Sequence, residues 1–203
     1  MSHFQPEYKY YHYSQQRNSD LRNSSYLSDR GLEPTKIKSF KIKIRKRIIY
    51  TVELFYYEDV VFIKFHPKLY ESHPDKYQII DVGLQLSEIK RLMNTCCKIV
   101  LNDLNKGDNS ELLYAFFGQW YFKDNQQKRI SSKRFCLYEK QVSTFFSIKE
   151  FNHFKQKEIN YYSVSLKSNQ SFDKQNERVL DLLTRDEELV KLFMTETAVK
   201  EYF

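Results

Sequence analysis

Residues 36–47 read KIKSFKIKIRKR. The stretch carries Lys36, Lys38, Lys41, Lys43, Arg45, Lys46 and Arg47 and no acidic residue. Its centre alternates. In an extended chain successive side chains point to opposite sides, so Phe40, Ile42 and Ile44 fall on one face and Lys41, Lys43, Arg45 and Arg47 on the other. An unstructured basic tail has no reason to alternate with apolar residues. The pattern therefore predicts a half-buried strand with a cationic outer face. Such a stripe suits a polyanion, of which nucleic acid is the commonest. The competing reading is an edge strand whose lysines guard against aggregation.

Working outward, the flanking sequence predicts a sheet and then a helix. Strands are expected at 38–46, 48–57, 59–66 and 77–86, the run VVFIKF at 60–65 being typical of a buried strand. His66 to Lys76 contains Pro67 and Pro74 and reads as a loop. Ser87 is a suitable helix N-cap, and Ile89, Leu92, Met93, Cys96, Ile99 and Val100 follow at helical spacing up to a break at Gly107. The order then recurs. Strands are expected at 111–122, 128–139 and 141–146. Ser147 and Glu150 form a capping-box pattern before a short helix carrying Ile148, Phe151 and Phe154. This gives an α+β fold in which a unit of antiparallel sheet followed by a helix occurs twice, at 36–106 and 110–165.

Two segments flank that domain. Residues 1–35 are polar, with Tyr8, Tyr10, Tyr11, Tyr13 and Tyr26 among Ser, Asn and Gln and no helical or strand period; they read as a disordered arm. Residues 171–203 hold eight acidic and five basic residues and a leucine pattern suggesting two helices divided near Thr184. Leu182, Leu183, Leu189, Leu192 and Phe193 are the residues through which this tail would enter a partner's groove. Packing on the domain's own sheet is the alternative.

Composition limits the chemistry. The 203 residues carry a formal net charge of +7, with 16 Tyr, 16 Phe and one Trp. Four glycines cannot build a phosphate loop. Cys96, Cys97 and Cys136 show neither a disulfide framework nor zinc spacing, which fits a reducing compartment. His66 and His73 with Asp75 read as a solvated loop rather than a metal site. No nucleophile motif is present, so no catalytic residue, cofactor or metal is expected. No stretch has membrane-spanning length, and neither a membrane nor a small-molecule substrate is expected as a partner. A second basic group does stand out: Lys123, Lys128, Arg129, Lys133 and Arg134 beside Trp120, Tyr121 and Phe122. Cations beside rings on a sheet suit single-stranded nucleic acid, the charges tracking the backbone and the rings stacking on bases.

The repeated sheet–helix order, carried by IIDVGLQLSEIKRLMNT at 79–95 and KRFCLYEKQVSTFFSIKEFNHF at 133–154, resembles the Whirly family of single-stranded DNA-binding proteins. A single unit resembles the coactivator positive cofactor four. The Lys-Gly-Lys motif of plant Whirly proteins is absent, Lys41-Ile42-Lys43 being the nearest match. The resemblance implies a non-enzymatic module that binds DNA or RNA. The two basic groups read above supply the candidate binding residues, Lys38, Lys41, Lys43, Arg45 and Arg47 in the first unit and Tyr121, Lys123, Lys128, Arg129, Lys133 and Arg134 in the second. The added arm and tail suggest an accessory subunit docked on other proteins. The composition is ciliate-like, and the small non-catalytic subunits of the ciliate DNA adenine methyltransferase complex are of this general kind. A nuclear location is expected, with mitochondria as the alternative. A purely structural assembly subunit is the alternative function.

Overall fold

The computed structural model describes residues 8–17, 34–73, 76, 83–106, 109–118, 121–122, 129–130 and 133–185. They form an α+β fold with one seven-stranded mixed sheet, in the order β1-β2-β3-β4-β5-β9-β8, and three helices. Strands β1 (Tyr10–Arg17), β2 (Lys36–Arg45), β3 (Ile48–Tyr57) and β4 (Val60–Pro67) make an antiparallel meander. Helix α1 (Leu86–Leu104) crosses over to β5 (Leu113–Phe117), which pairs parallel to β4. A two-stranded ribbon, β6 (Tyr121–Phe122) with β7 (Arg129–Ile130), leads into helix α2 (Lys133–Phe145). Strands β8 (Phe151–Gln156) and β9 (Tyr161–Leu166) then complete the sheet, and α3 (Phe172–Arg185) follows.

Both faces of the sheet are covered, which explains why so many aromatics are needed. On the first face Phe40, Ile42, Tyr50, Val52, Leu54, Val61, Ile63 and Tyr114 pack against Leu92, Met93, Cys96, Ile99 and Val100 of α1 and Phe135, Tyr138 and Val142 of α2. Each large apolar side chain buried here contributes about 1.5–3 kcal/mol. On the second face Val60, Phe62, Leu113, Ala115 and Tyr161 meet Phe172, Val179 and Leu183 of α3. Polar contacts fix that helix in place. The Asn176 Oδ1 accepts from Tyr161 Oη (2.8 Å) and Ser163 Oγ (2.6 Å), and Gln175 Nε2 donates to the Glu111 carbonyl (2.9 Å). At Gly118 a side chain would meet the Cβ of Phe135 at 2.6 Å, so glycine is what lets the start of α2 close on β5.

The first half of the fold follows the sequence expectation, and the second half departs from it. The strands expected at 38–46, 48–57 and 59–66 are β2, β3 and β4. Of the strand expected at 77–86, residues 77–82 lie outside the described residues, and 83–86 are instead the turn at Gly83 (φ +75°) and the start of α1. The helix near Ser87 is α1, which begins one residue earlier, with Gln85 as N-cap and Glu88 accepting from the Gln85 N–H at 2.9 Å. The segment expected as strands at 128–139 and 141–146 is instead the ribbon strand β7 and helix α2. Phe135, Tyr138 and Val142 share one helical face through their three- and four-residue spacing, and all three are buried. The helix expected after Ser147 is strand β8. Ser147 does order one turn, its carbonyl accepting from the N–H of Glu150 (3.0 Å) and of Phe151 (2.9 Å). The chain then extends because β9 offers a complete antiparallel partner. The arm expected to be disordered at 1–35 contributes β1, since the Tyr-rich run 10–17 finds β2 as a partner; residues 1–7 and 18–33 lie outside the described residues.

Candidate nucleic-acid interface

The cations of β2 divide into two sets. Lys38 lies on the same face as Phe40 and Ile42 and is buried. Its Nζ donates to Asp103 Oδ1 of α1 at 2.5 Å, and Asp103 Oδ2 accepts from Tyr56 Oη (2.5 Å) and Tyr114 Oη (2.6 Å). Burial pushes the Asp103 carboxyl upward, but the hydrogen bonds from Lys38, Tyr114 and Tyr56 prevail and hold it below the usual carboxylate range. Burial, followed by the hydrogen bond to the carboxylate, drives the Tyr56 hydroxyl well above its ordinary value. Lys38 therefore belongs to a four-residue core network and is not available to a phosphate. Lys41 faces the other way, as expected, yet is only 7% exposed. Both placements correct the expectation of a cationic outer face running the length of the strand.

Lys41 lies in a polar patch on the second face of β2–β4. Cross-strand register gives one row of Lys41, Thr51 and His66 and a second of Ser39, Glu53 and Lys64. His66, expected in a solvated loop, is fully buried in β4; its Nδ1 lies 3.1 Å from the Pro67 carbonyl and its Nε2 3.5 Å from Glu53 Oε2. Lys76 Nζ lies 3.7 Å from the same carboxylate. Burial lowers the Lys64 amine to about 8, against the opposing pull of Glu53. Among the described residues no group of His, Cys, Asp and Glu is arranged to hold a metal ion.

The exposed cations of the β2–β3 hairpin lie at one end of the sheet. Lys43, Arg45, Lys46 and Arg47 are exposed at the end of β2 and in the turn to β3. Arg45 forms a bidentate pair with Glu88 in the first turn of α1, which ties that turn to the helix start and lowers the Glu88 carboxyl. Topology brings further elements to the same end. Tyr50 pairs with Pro67, placing the exposed Lys68 of the following 3-10 turn there. Strand β5 runs parallel to β4, so its exit toward the β6–β7 ribbon points the same way. Phe117 pairs with Tyr161, which brings in the 3-10 turn Lys157–Ile159, and β7 lies against that turn. Gly118, on β5's exit, lies against Phe135, so α2 begins at this end as well. Tyr121 and Arg129 thus sit on the ribbon and Lys133 and Arg134 on the first two residues of α2. Lys123 and Lys128 lie outside the described residues. The elements that carry Arg129, Lys133 and Arg134 thus start at the same end of the sheet as the β2–β3 turn, because a parallel pair joins the halves of the sheet.

The other expected contact set divides as well. Leu183 is buried on the domain's own sheet, so it does not face a partner, whereas Leu182 is 38% exposed; Leu189, Leu192 and Phe193 lie outside the described residues. The sequence reading missed the role of Tyr8, whose ring lies under the Arg91 guanidinium at 4.0 Å and whose N–H donates to Thr95 Oγ1 at 2.9 Å. It also missed Asp103, which as a lone carboxylate late in an amphipathic helix gives no local sign of its three partners. No described helix is long and apolar enough to cross a membrane. No family model matches the chain, and neither the curated proteins nor the solved structures yield a match.

Proposed function

We propose that this protein is a non-enzymatic nucleic-acid-binding accessory subunit that grips phosphates with the basic end of its sheet. The single observation carrying this reading is the exposed set Lys43, Lys46 and Arg47, beside the Glu88-paired Arg45 and joined at the same end by Lys68 and Lys157. Turns from several strands bearing cations at one end suit a polyanion better than they suit a compact ligand. Of the first unit expected at 36–106, β2–β4 and α1 are present, which supports the Whirly-like reading; the edge strand β1 comes instead from the arm, and the second unit, with α2 before β8 and β9, departs from the pattern. Membership of a nucleic-acid-processing assembly, such as the ciliate DNA adenine methyltransferase complex, and a nuclear location belong to the same proposal. Fluorescence anisotropy of labelled single- and double-stranded DNA at two salt concentrations tests it. Affinity falling with salt, by about 0.9 in log–log slope per phosphate neutralised, is the expected result. Absence of binding at low salt refutes it. The alternative, a protein-assembly subunit, draws on the exposed Leu69 (82%), Ile148 (71%) and Leu86 (60%); it predicts co-purifying protein that is lost on Leu69→Ser and Leu86→Ser.

A further inference from the structure

Among residues whose side chains are described, Tyr11 is the one aromatic ring with more than half of its surface open, at 57%. The other large rings whose side chains are described are buried wholly or in part, so among them this one is the exception. Its direction is fixed by its neighbours. Tyr10 and His12 turn toward Phe40, with ring centroids 6.0 and 5.3 Å away, on the helix-covered face. Tyr11, between them, must face the other side, directly opposite Lys41. The pairing of Tyr10 with Ile42 brings Lys9 opposite Lys43, and both lysines are exposed. Strand β1 is the edge of the sheet, so the ring has a strand on one side only. The arrangement is an open ring two positions along the strands from two exposed cations, adjoining the basic hairpin end.

We infer that this site reads unpaired nucleotides, with Tyr11 as the stacking platform for a base and Lys9 and Lys43 as contacts to the flanking phosphates. The inference rests on the nucleic-acid reading above and adds the strand state. In a duplex the faces of the bases are occupied by their neighbours, so an open ring on a sheet gains only from splayed bases. Cations two positions from the ring track the backbone beside the stacked base.

The test compares labelled oligo(dT) with a duplex of the same length by anisotropy, for wild type, Tyr11→Ala and Tyr11→Phe. Tyr11→Ala is expected to weaken oligo(dT) binding about tenfold, the lower part of the range for one lost stack, and to leave duplex binding unchanged. Tyr11→Phe keeps the ring and is expected to bind as wild type. The urea midpoint serves as a fold check, which an exposed ring should not move. Equal loss for both DNAs, or no loss for either, overturns the stacking role while leaving the phosphate grip standing. Polyglutamate competing as well as oligo(dT) likewise overturns it, in favour of an acidic peptide. No binding of either DNA by wild type brings down both readings.

Discussion

The two halves of strand β2 have nearly the same composition and opposite fates. Lys38 and Lys41, up to the middle of the strand, are buried; Lys43 and Arg45, at its end, are exposed. The difference does not lie in the strand. It lies in what stands opposite: Asp103, Tyr56 and Tyr114 form a dry receptor for the Lys38 amine, whereas Lys43 lies next to a turn open to water. A cation in a sequence is open to an outside anion only where the fold does not enclose it with an internal acid. Charge here is sorted along the strands, toward one end of the sheet, as well as across its faces.

The largest expected effect would break the buried half. Asp103→Leu leaves the Lys38 ammonium buried without its counter-charge and removes the acceptor of two tyrosine hydroxyls, so urea denaturation should show a loss of about 3–5 kcal/mol. The double variant Lys38→Met with Asp103→Leu should recover much of that loss, because an apolar pair needs no desolvation compensation. If the double variant is no better than the single, the amine is not the cause. By contrast, Lys43→Ala should stay within about 0.5 kcal/mol of wild type.

The next effect sharpens the exposed half. Reversing Lys43, Lys46 and Arg47 to Glu should abolish DNA binding with the far-UV spectrum and urea midpoint preserved. Anisotropy at several salt concentrations would detect intact binding, which would move the interface to the β6–β7 ribbon.

Acid pH discriminates the halves more gently. The folded Asp103 carboxyl sits below its unfolded value, so the unfolded chain takes up more protons as pH falls. The stability it contributes is present above the unfolded carboxyl range and is lost as pH drops through the folded pKa. Thermal melts below about pH 4 should therefore fall more steeply for wild type than for the double apolar variant.

The smallest effect concerns the junction between the halves. Glu88→Gln removes the carboxylate that holds Arg45 and leaves an uncharged side chain at the helix start. DNA binding should tighten a few-fold, with a steeper salt dependence, as Arg45 becomes available to a phosphate. Weaker binding would mean that Glu88 positions Arg45 for contact.

The sequence by itself determined the elements whose signal is local. Alternation in β2 and β3, the apolar run of β4 and the helical spacing of α1 all name their structure within one window of residues, and all are present. So is the location of the basic hairpin. What the tertiary structure decided is everything that depends on a distant partner. Residues 10–17 became a strand because β2 lay open, and Phe151–Gln156 became a strand instead of a helix because β9 could pair with it. Residues 133–145, rich in aromatic and β-branched types, became a helix because Phe135, Tyr138 and Val142 fill one groove beside α1. Lys38 left the binding set because a carboxylate 65 residues away met it in a dry interior. Local preferences amount to a fraction of a kcal/mol per residue, while a strand partner, a filled core position or a buried counter-charge contributes about one to several. Where the two disagree, the distant contact wins.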